Sequence, residues 1–342
     1  MTPSTIKRMF EQDFSETQET NLAMSQEVLK FMKITAGGIH KAGSGHYEVP
    51  LPLRNKNVHL PCNRMLAEVR LKQLRRQCAS DSKYKEDYVA FIETMLEAGY
   101  AEKAPKQCHE TTWYIPHHGV YHPKKPDKLR VVFDCSAEFQ GYSLNHNLLQ
   151  GPDLTNSLVD VLCRFRQEPV AFAYDIEGMF HQVHVNEEHR DFLCFLWWDQ
   201  GDTTKEPTEC QMTVHLFGAT SSPGCANLAL QTATDDSAHE FGVEAASFIK
   251  ENFYFDDGLK SVPTVPEAIE LIKKGTEMCM RGGFRLHKFT SNSKEVVEST
   301  AVESHAKEIK ELDLNRDLLP PDRKSTRLNS SHSDRSRMPS SA

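Results

Sequence analysis

The stretch Asn252-Phe253-Tyr254-Phe255-Asp256-Asp257-Gly258-Leu259 holds two adjacent carboxylates between an aromatic run and a glycine. The aromatic run favours a β-strand and Gly258 permits a tight reversal, so we expect both acids at a hairpin turn. Neighbouring carboxylates repel each other unless a cation neutralises them, and hard divalent cations prefer oxygen ligands. A surface Asp-Gly turn without function is the alternative for so short a match. Other parts of the sequence are needed to distinguish a cation site from a surface turn without function.

The composition indicates a soluble globular protein. The 342 residues allow one large domain or two smaller ones, and 39% hydrophobic and 26% charged residues are ordinary values. No apolar run is long enough for a membrane span. The net charge of −8 argues against unspecific coating of nucleic acid but allows a local basic groove. The 9 cysteines form no C-x-x-C pair, which indicates reduced and mostly buried thiols.

A third carboxylate ends another predicted strand. The run Val170-Ala171-Phe172-Ala173-Tyr174-Asp175-Ile176 is apolar up to Asp175, as in a buried strand that delivers an acid to the edge of a sheet. A strand and a helix separate it from Asp256 and Asp257, which permits all three acids to converge. Three such carboxylates can hold two divalent ions roughly 3.5–4 Å apart, the arrangement of two-metal phosphoryl transfer.

The remaining pattern mixes helices and strands, typical of an α+β protein. Predicted helices lie at about 25–32, 63–76, 80–99, 155–166, 218–240 and 266–282. A β-hairpin with a basic tip is predicted from strand-like runs at 112–115 with 120–121 and at 129–133. Further strands are predicted at 170–176, 192–198, 212–217 and 284–289, with a polar loop at 199–210.

Two other features have alternative interpretations. Arg70, Lys72, Arg75 and Arg76 give one helix a basic face, which is either a solvated surface or a contact for a nucleic-acid backbone. Several histidines gather in the first hairpin, but the adjacent pair His117-His118 points to opposite sides of a strand, and no second cluster follows. A polar hairpin rim is therefore the preferred interpretation over zinc.

The chain resembles the reverse transcriptases of long-terminal-repeat retrotransposons, in particular the BEL/Pao group. The resemblance covers about 10–323 and rests on motifs that occur in the expected order. They are HYEVPLP (46–52), YIPHHG (114–119), KLRVVFD (128–134), DIEGMF (175–180), FGATSSP (217–223), FYFDDGL (253–259) and GGFRLHK (282–288).

The resemblance implies the α+β fold of a right-hand polymerase, with fingers and palm subdomains and a thumb that is absent or truncated. The implied boundaries are an N-terminal extension at 1–57, fingers at 58–168 and 183–216, palm at 169–182 and 217–313, and a truncated tail at 314–342. From Asp322 the tail resembles a translated sequencing adapter, and its Ser/Arg-rich composition is that of disorder, so we expect it to be an artefact.

The resemblance further implies an RNA-directed DNA polymerase with two Mg²⁺ ions, or Mn²⁺ in their place. Asp175, Asp256 and Asp257 would hold the ions, helped by the backbone carbonyl of Ile176. The implied partners are an RNA or DNA template with its primer and deoxynucleoside triphosphates (dNTPs), without a membrane. In a full element the polymerase would be fused to protease, RNase H and integrase, and would lie in the cytoplasm, including virus-like particles.

Further residues match nucleotide-binding positions of the family. Phe180 would exclude a 2′-hydroxyl, Arg130 and one of Lys124 and Lys125 would bind the triphosphate, Phe217 would pack on the nucleotide, and Lys288 would protonate pyrophosphate. A core phenylalanine is the alternative for Phe180, and a salt-bridged surface lysine for Lys288.

Phe255 departs from the family, in which a small β-branched residue is usual. Without a thumb the primer end would not be held in near-attack geometry. A truncated, impaired fragment that at most binds nucleic acid is therefore an alternative function, and a metal nuclease using the same acids is a third.

Overall fold

The computed structural model describes residues 25–105, 112–122 and 125–306, except for the side chains of 122, 125 and 126. Lys124 at the hairpin tip and the truncated tail at 314–342 lie outside these residues, as does the part of the N-terminal extension before residue 25. The described part is α+β, with helices and several small sheets.

The chain forms two compact units. Of the described residues, the first unit contains those up to His40, then Glu48–Leu154 and Val183–Leu228. The second unit contains Lys41–Tyr47, Thr155–Gln182 and those from Ala229. The fingers and palm boundaries given above stay predictions.

The six predicted helices are present and begin close to the predicted positions, where capping signals are local. The first of them ends at 38 instead of 32, and the helices at 144–147, 243–251 and 294–298 were not predicted. The described helices are α1 (Gln26–Gly38), α2 (Arg64–Ser80), α3 (Ser82–Glu97), α4 (Leu144–Asn147), α5 (Leu158–Phe165), α6 (Ser222–Phe241), α7 (Val243–Glu251), α8 (Val265–Arg281) and α9 (Lys294–Glu298). Thr264, for example, caps α8 by accepting a hydrogen bond from the Glu267 amide, and a proline occupies the first turn. None of the described helices has the length and apolar character that crossing a bilayer requires.

The strands form small sheets. They are β1 (His40–Lys41), β2 (Tyr47–Val49), β3 (Ala101–Lys103), β4 (His117–His122), β5 (Lys125–Phe133), β6 (Val170–Ile176), β7 (His184–Val185), β8 (Cys194–Trp197), β9 (Thr208–Met212), β10 (Phe253–Tyr254), β11 (Asp257–Val262) and β12 (Leu286–Ser291). In the first unit β4 and β5 form the predicted hairpin, and β9 lies between β3 and β8. In the second unit the order is β10-β11-β6-β12, antiparallel throughout.

His117 of the first hairpin belongs to the core of the first unit. His117 is buried, its Nε2–H donates to the Leu196 carbonyl (2.9 Å), and its Nδ1 accepts from the Tyr88 hydroxyl (2.6 Å). Burial lowers its pKa to about 4. Both ring nitrogens are therefore used within the core, which agrees with the preference against zinc.

One strand prediction was wrong. A strand was expected at 212–217 after a polar loop at 199–210, but the strand is Thr208–Met212. Its polar residues find partners that local sequence does not reveal: the buried Gln211 side chain donates to Glu102 Oε1 (2.7 Å) on the neighbouring β3. A central strand can carry polar residues when adjacent strands satisfy them. The described cysteines are free, and all but Cys62 and Cys163 are buried, as predicted.

Candidate active site

Asp175 lies in β6, the strand of the second unit that is flanked on both sides. Asp257 is its direct partner in β11, and His287 is its direct partner in β12. Directly opposed residues of antiparallel strands project to the same face of the sheet. The register therefore places a carboxylate on one side of Asp175 and an imidazole on the other.

Asp256 occupies the hairpin turn itself. Tyr254 pairs with Asp257, which leaves Phe255 and Asp256 as the two turn residues. The Asp256 carbonyl accepts a hydrogen bond from the Ile176 amide (2.8 Å), which fastens the turn to the end of β6. Asp175, Asp256, Asp257 and Ile176 are thus joined within one sheet.

The expected use of Gly258 was wrong. The turn is made instead by Phe255, with a φ of 54°, a conformation that is unusual for a bulky side chain. Gly258 lies within β11, where an added Cβ would approach the Tyr174 ring to 2.6 Å. Gly258 is therefore needed for close packing between two strands and not for the reversal of the chain.

Two basic side chains neutralise Asp175. The Lys288 ammonium forms an ion pair with its carboxylate, and His287 Nε2 lies 3.5 Å from the same oxygen. Burial alone would raise the pKa of Asp175, but hydrogen bonds from His287 and Lys288, together with their charges, hold that pKa below its usual value. Asp175 therefore carries its negative charge at neutral pH.

Asp257 has the opposite electrostatic environment. Burial, followed by the nearby charges of Asp256 and Asp175, raises the pKa of Asp257 to about 7, against a smaller lowering by Lys288. The part of this rise that follows burial comes from repulsion between neighbouring carboxylates, which a bound cation would relieve. The cluster thus holds more negative charge than its own basic side chains neutralise.

The donor set fits a hard divalent cation by its chemistry. Carboxylate oxygens are the ligands that Mg²⁺ prefers, and a cation would offset both the burial and the repulsion that raise the pKa of Asp257. The side chains are not preassembled as a ligand set, since no group of three histidine, cysteine, aspartate or glutamate side chains in the described part of the chain is arranged to hold a metal ion. The Lys288 ammonium is the cation that Asp175 contacts.

An irregular backbone presents Lys288 to Asp175. The pairing of β12 with β6 shifts register between His287 and Thr290, and Lys288 has a φ of 56°. A β-bulge re-aims side chains at the expense of regular pairing. Such strain in a non-glycine residue costs of order 1–3 kcal/mol and is concentrated at functional sites.

Phe180 follows β6 in a short 3₁₀ turn, Met179–Gln182, and its exposed fraction is 9%. The turn belongs to the same unit as the acids. Phe180 is thus packed into the protein for most of its surface, as the alternative of a core residue would require, and its sugar-excluding role stays a prediction.

Arg130 and Phe217, two other predicted nucleotide contacts, belong to the first unit. Arg130 is exposed in β5, opposite Val120, and Phe217 is half-exposed after β9. Lys125 begins β5, but its side chain is not described, and Lys124 lies outside the described residues. Their roles stay predictions.

Sequence reasoning missed the second pair of charges beside the acids. His287 Nδ1 lies 3.9 Å from Glu177 Oε1, and Arg285 Nη1 lies 3.1 Å from Glu177 Oε2. Acids and bases therefore alternate from Arg285 through Glu177, His287 and Asp175 to Lys288. The basic residues at 285, 287 and 288 were visible in the sequence, but the register that sets His287 against Asp175 was not.

Comparisons with known proteins give only distant similarity. No family model and no curated protein matches the chain. Among solved structures, the foamy viral protease-reverse transcriptase dRH in complex with double-stranded DNA aligns over 60% of this chain and 31% of that chain, with 17% sequence identity and a TM-score of 0.45. The foamy viral protease-reverse transcriptase in complex with an RNA/DNA hybrid aligns over 60% and 24%, with 17% identity and a TM-score of 0.43. The chain thus spans less than a third of those proteins.

Proposed function

We propose that this chain is the polymerase region of a BEL/Pao-type retrotransposon reverse transcriptase, which extends a primer 3′-hydroxyl with dNTPs on an RNA template. The observation that carries the proposal is the pairing of Asp175 with Asp257 on adjacent strands, with Asp256 in the turn fastened to Ile176. The seven motifs, which occur in the expected order, support the assignment to this family.

The charge of the site suits phosphoryl transfer. Catalysis of this reaction consists mostly of positioning and of stabilising charge on phosphate oxygens. Asp175, Asp256 and Asp257 would hold the divalent ions, which supply Lewis-acid stabilisation of the attacking and leaving oxygens. The proximity of the three acids supports this assignment, because after burial the charges of Asp256 and Asp175 are what raises the pKa of Asp257, and a bound cation would stabilise all three carboxylates.

The chain's own side chains give the site two further capacities. Asp175 stays ionised because Lys288 and His287 stabilise its carboxylate. Lys288 also brings a protonated amine to the acids, where it would donate a proton to the leaving pyrophosphate. Arg130 and one of Lys124 and Lys125 would bind the triphosphate, Phe217 would pack on the incoming nucleotide, and Phe180 would exclude the 2′-hydroxyl of a ribonucleotide.

Primer extension tests the proposal. The purified chain is incubated with an RNA template, a DNA primer, dNTPs and Mg²⁺, beside the variants Asp175→Asn, Asp256→Asn and Asp257→Asn. Asp160→Asn is the matched control, because Asp160 is an exposed aspartate of the same unit in α5. We expect extension by the parent chain and by the control, and a loss of at least about 100-fold in each site variant.

Three other results would contradict the proposal. Extension that survives Asp256→Asn and Asp257→Asn would place the chemistry elsewhere. Cleavage of the template without nucleotides, lost in the same variants, would identify a metal nuclease. Binding of primer–template without extension, unchanged in the variants, would leave a nucleic-acid-binding fragment.

A further inference from the structure

The segment Lys41–Tyr47 belongs to the second unit, although the chain on both sides of it belongs to the first. It forms a closed turn in which the Ala42 amide donates to the His46 carbonyl (2.8 Å). Tyr47 is buried and its hydroxyl donates to Asp236 Oδ2 (2.5 Å). This segment, here called the strap, is therefore fixed to the unit that carries the acids.

His46 of the strap contacts the turn that contains Phe180. Its Nδ1 lies 2.9 Å from the Gln182 carbonyl, and because a carbonyl only accepts, Nδ1 carries the proton and donates. The buried Gln182 side chain in turn donates to the Glu177 carbonyl (2.8 Å). A hydrogen bond from the strap thus continues into one that closes 177–182, which includes the Phe180 turn.

The imidazole also fills the space over Gly283. Gly283 has a φ of 80°, and a Cβ added there would collide with the His46 ring. Gly283 precedes β12, which carries His287 and Lys288. His46 therefore contacts two segments near Asp175: the segment that follows β6, at Gln182, and the segment that precedes β12, at Gly283.

We propose that His46 is a positioning residue for nucleotide selection: its hydrogen bond to Gln182 fixes the Met179–Gln182 turn and hence the place of the Phe180 ring. This inference rests on the proposed function, since it assumes that Phe180 faces the nucleotide sugar. A ring that selects by collision discriminates only if it cannot retreat, and misplacement by about 1 Å can change a rate by about 100-fold. His46 itself touches no substrate and acts only through the Met179–Gln182 turn.

The test compares dNTP with ribonucleotide incorporation by the full chain. His46→Phe retains a ring over Gly283 but removes the donor, whereas His46→Asn retains an N–H that can reach the Gln182 carbonyl. Tyr47→Phe is the matched control, because it removes only the hydroxyl that bonds Asp236 and keeps both the buried ring and the donor of His46. We expect His46→Phe to lower the preference for dNTPs about tenfold or more, His46→Asn to restore most of it, and Tyr47→Phe to leave it unchanged.

Hydrogen exchange of the amides at 178–182 separates this inference from the proposed function. Faster exchange in His46→Phe than in Tyr47→Phe supports the role of His46 even if the parent chain extends no primer. Absence of extension would refute the proposed function alone. An unchanged dNTP preference in a folded, active His46→Phe protein, or unchanged exchange at 178–182, would overturn the role of His46.

Discussion

Asp257 lies directly opposite Asp175 in the antiparallel pairing of β11 with β6, and the pKa values of the two acids are shifted in opposite directions. The pKa of Asp257 is raised to about 7, mainly by burial, while the bases around Asp175 hold its pKa below the usual value. The folded state therefore binds the Asp257 proton more tightly than the unfolded state does. Its contribution to stability is full below about pH 4 and is lost as the pH rises through about 7.

We accordingly expect Asp257→Asn to gain stability relative to the parent chain as the pH rises in EDTA. The difference between their free energies of unfolding should grow by up to about 1.4 kcal/mol per pH unit between pH 4 and 7. Urea unfolding at several pH values measures it, with Asp160→Asn as the control. A difference that does not vary with pH would contradict the raised pKa.

A second prediction concerns Lys288, whose ammonium forms an ion pair with the Asp175 carboxylate. Lys288→Met should lower the melting temperature in EDTA slightly, since the ammonium is 57% exposed and such pairs contribute about 0–1 kcal/mol. The variant should also gain more stabilisation from added Mg²⁺ than the parent chain, because the ion no longer competes with an ammonium for Asp175.

Lys260→Met is the control for this titration, because Lys260 lies in β11 of the same sheet and pairs with Phe172. Thermal unfolding at increasing Mg²⁺ concentration gives the apparent affinity of each protein. Equal responses to Mg²⁺ in the parent chain and in Lys288→Met would show that Lys288 does not compete with the ion.

The packing of Gly258 gives a third prediction. Gly258→Ala should destabilise the protein by about 1–3 kcal/mol, because the new Cβ would press on the Tyr174 ring beside the acids. Gly43→Ala, in the same unit, is the control, since its Cβ would meet no atom within 4 Å. Urea unfolding checks both variants, and equal stabilities would show that β11 and β6 can separate at little cost.

The sequence predicted those parts of the fold whose signals are local. The helix that begins after Thr264 and the hairpin of β4 and β5 carry their own caps, breakers and alternation. β9 was misplaced because its buried Gln211 is satisfied by Glu102, a residue more than 100 positions earlier in the chain. Long-range partners of this kind leave no trace in a local pattern.

The candidate site divides in the same way. Asp175 at the end of a strand and Asp256-Asp257 on a hairpin could be inferred from residue types, and the strand bounds agree. Gly258 was given the wrong role because the turn uses a strained Phe255, which no propensity favours. His287 was missed because only the register of β12, with its bulge before Thr290, sets it against Asp175.

The last prediction concerns acid unfolding of the first unit. His117 is buried and neutral with a pKa of about 4, below the ordinary value of 6.5, so the unfolded state binds its proton more readily. Its contribution to stability is present above about pH 6.5 and is lost as the pH falls toward 4, by about 1.4 kcal/mol per pH unit.

Tyr88→Phe should lower the free energy of unfolding of the first unit by about 1–3 kcal/mol at pH 7, because His117 Nδ1 then loses its donor in the core. Trp197, whose ring stacks on Tyr88 at 5.3 Å, reports this unfolding by fluorescence. His117→Gln should weaken the dependence on pH between 4 and 6.5, and an unchanged dependence would assign the acid sensitivity to other groups, such as the buried His215.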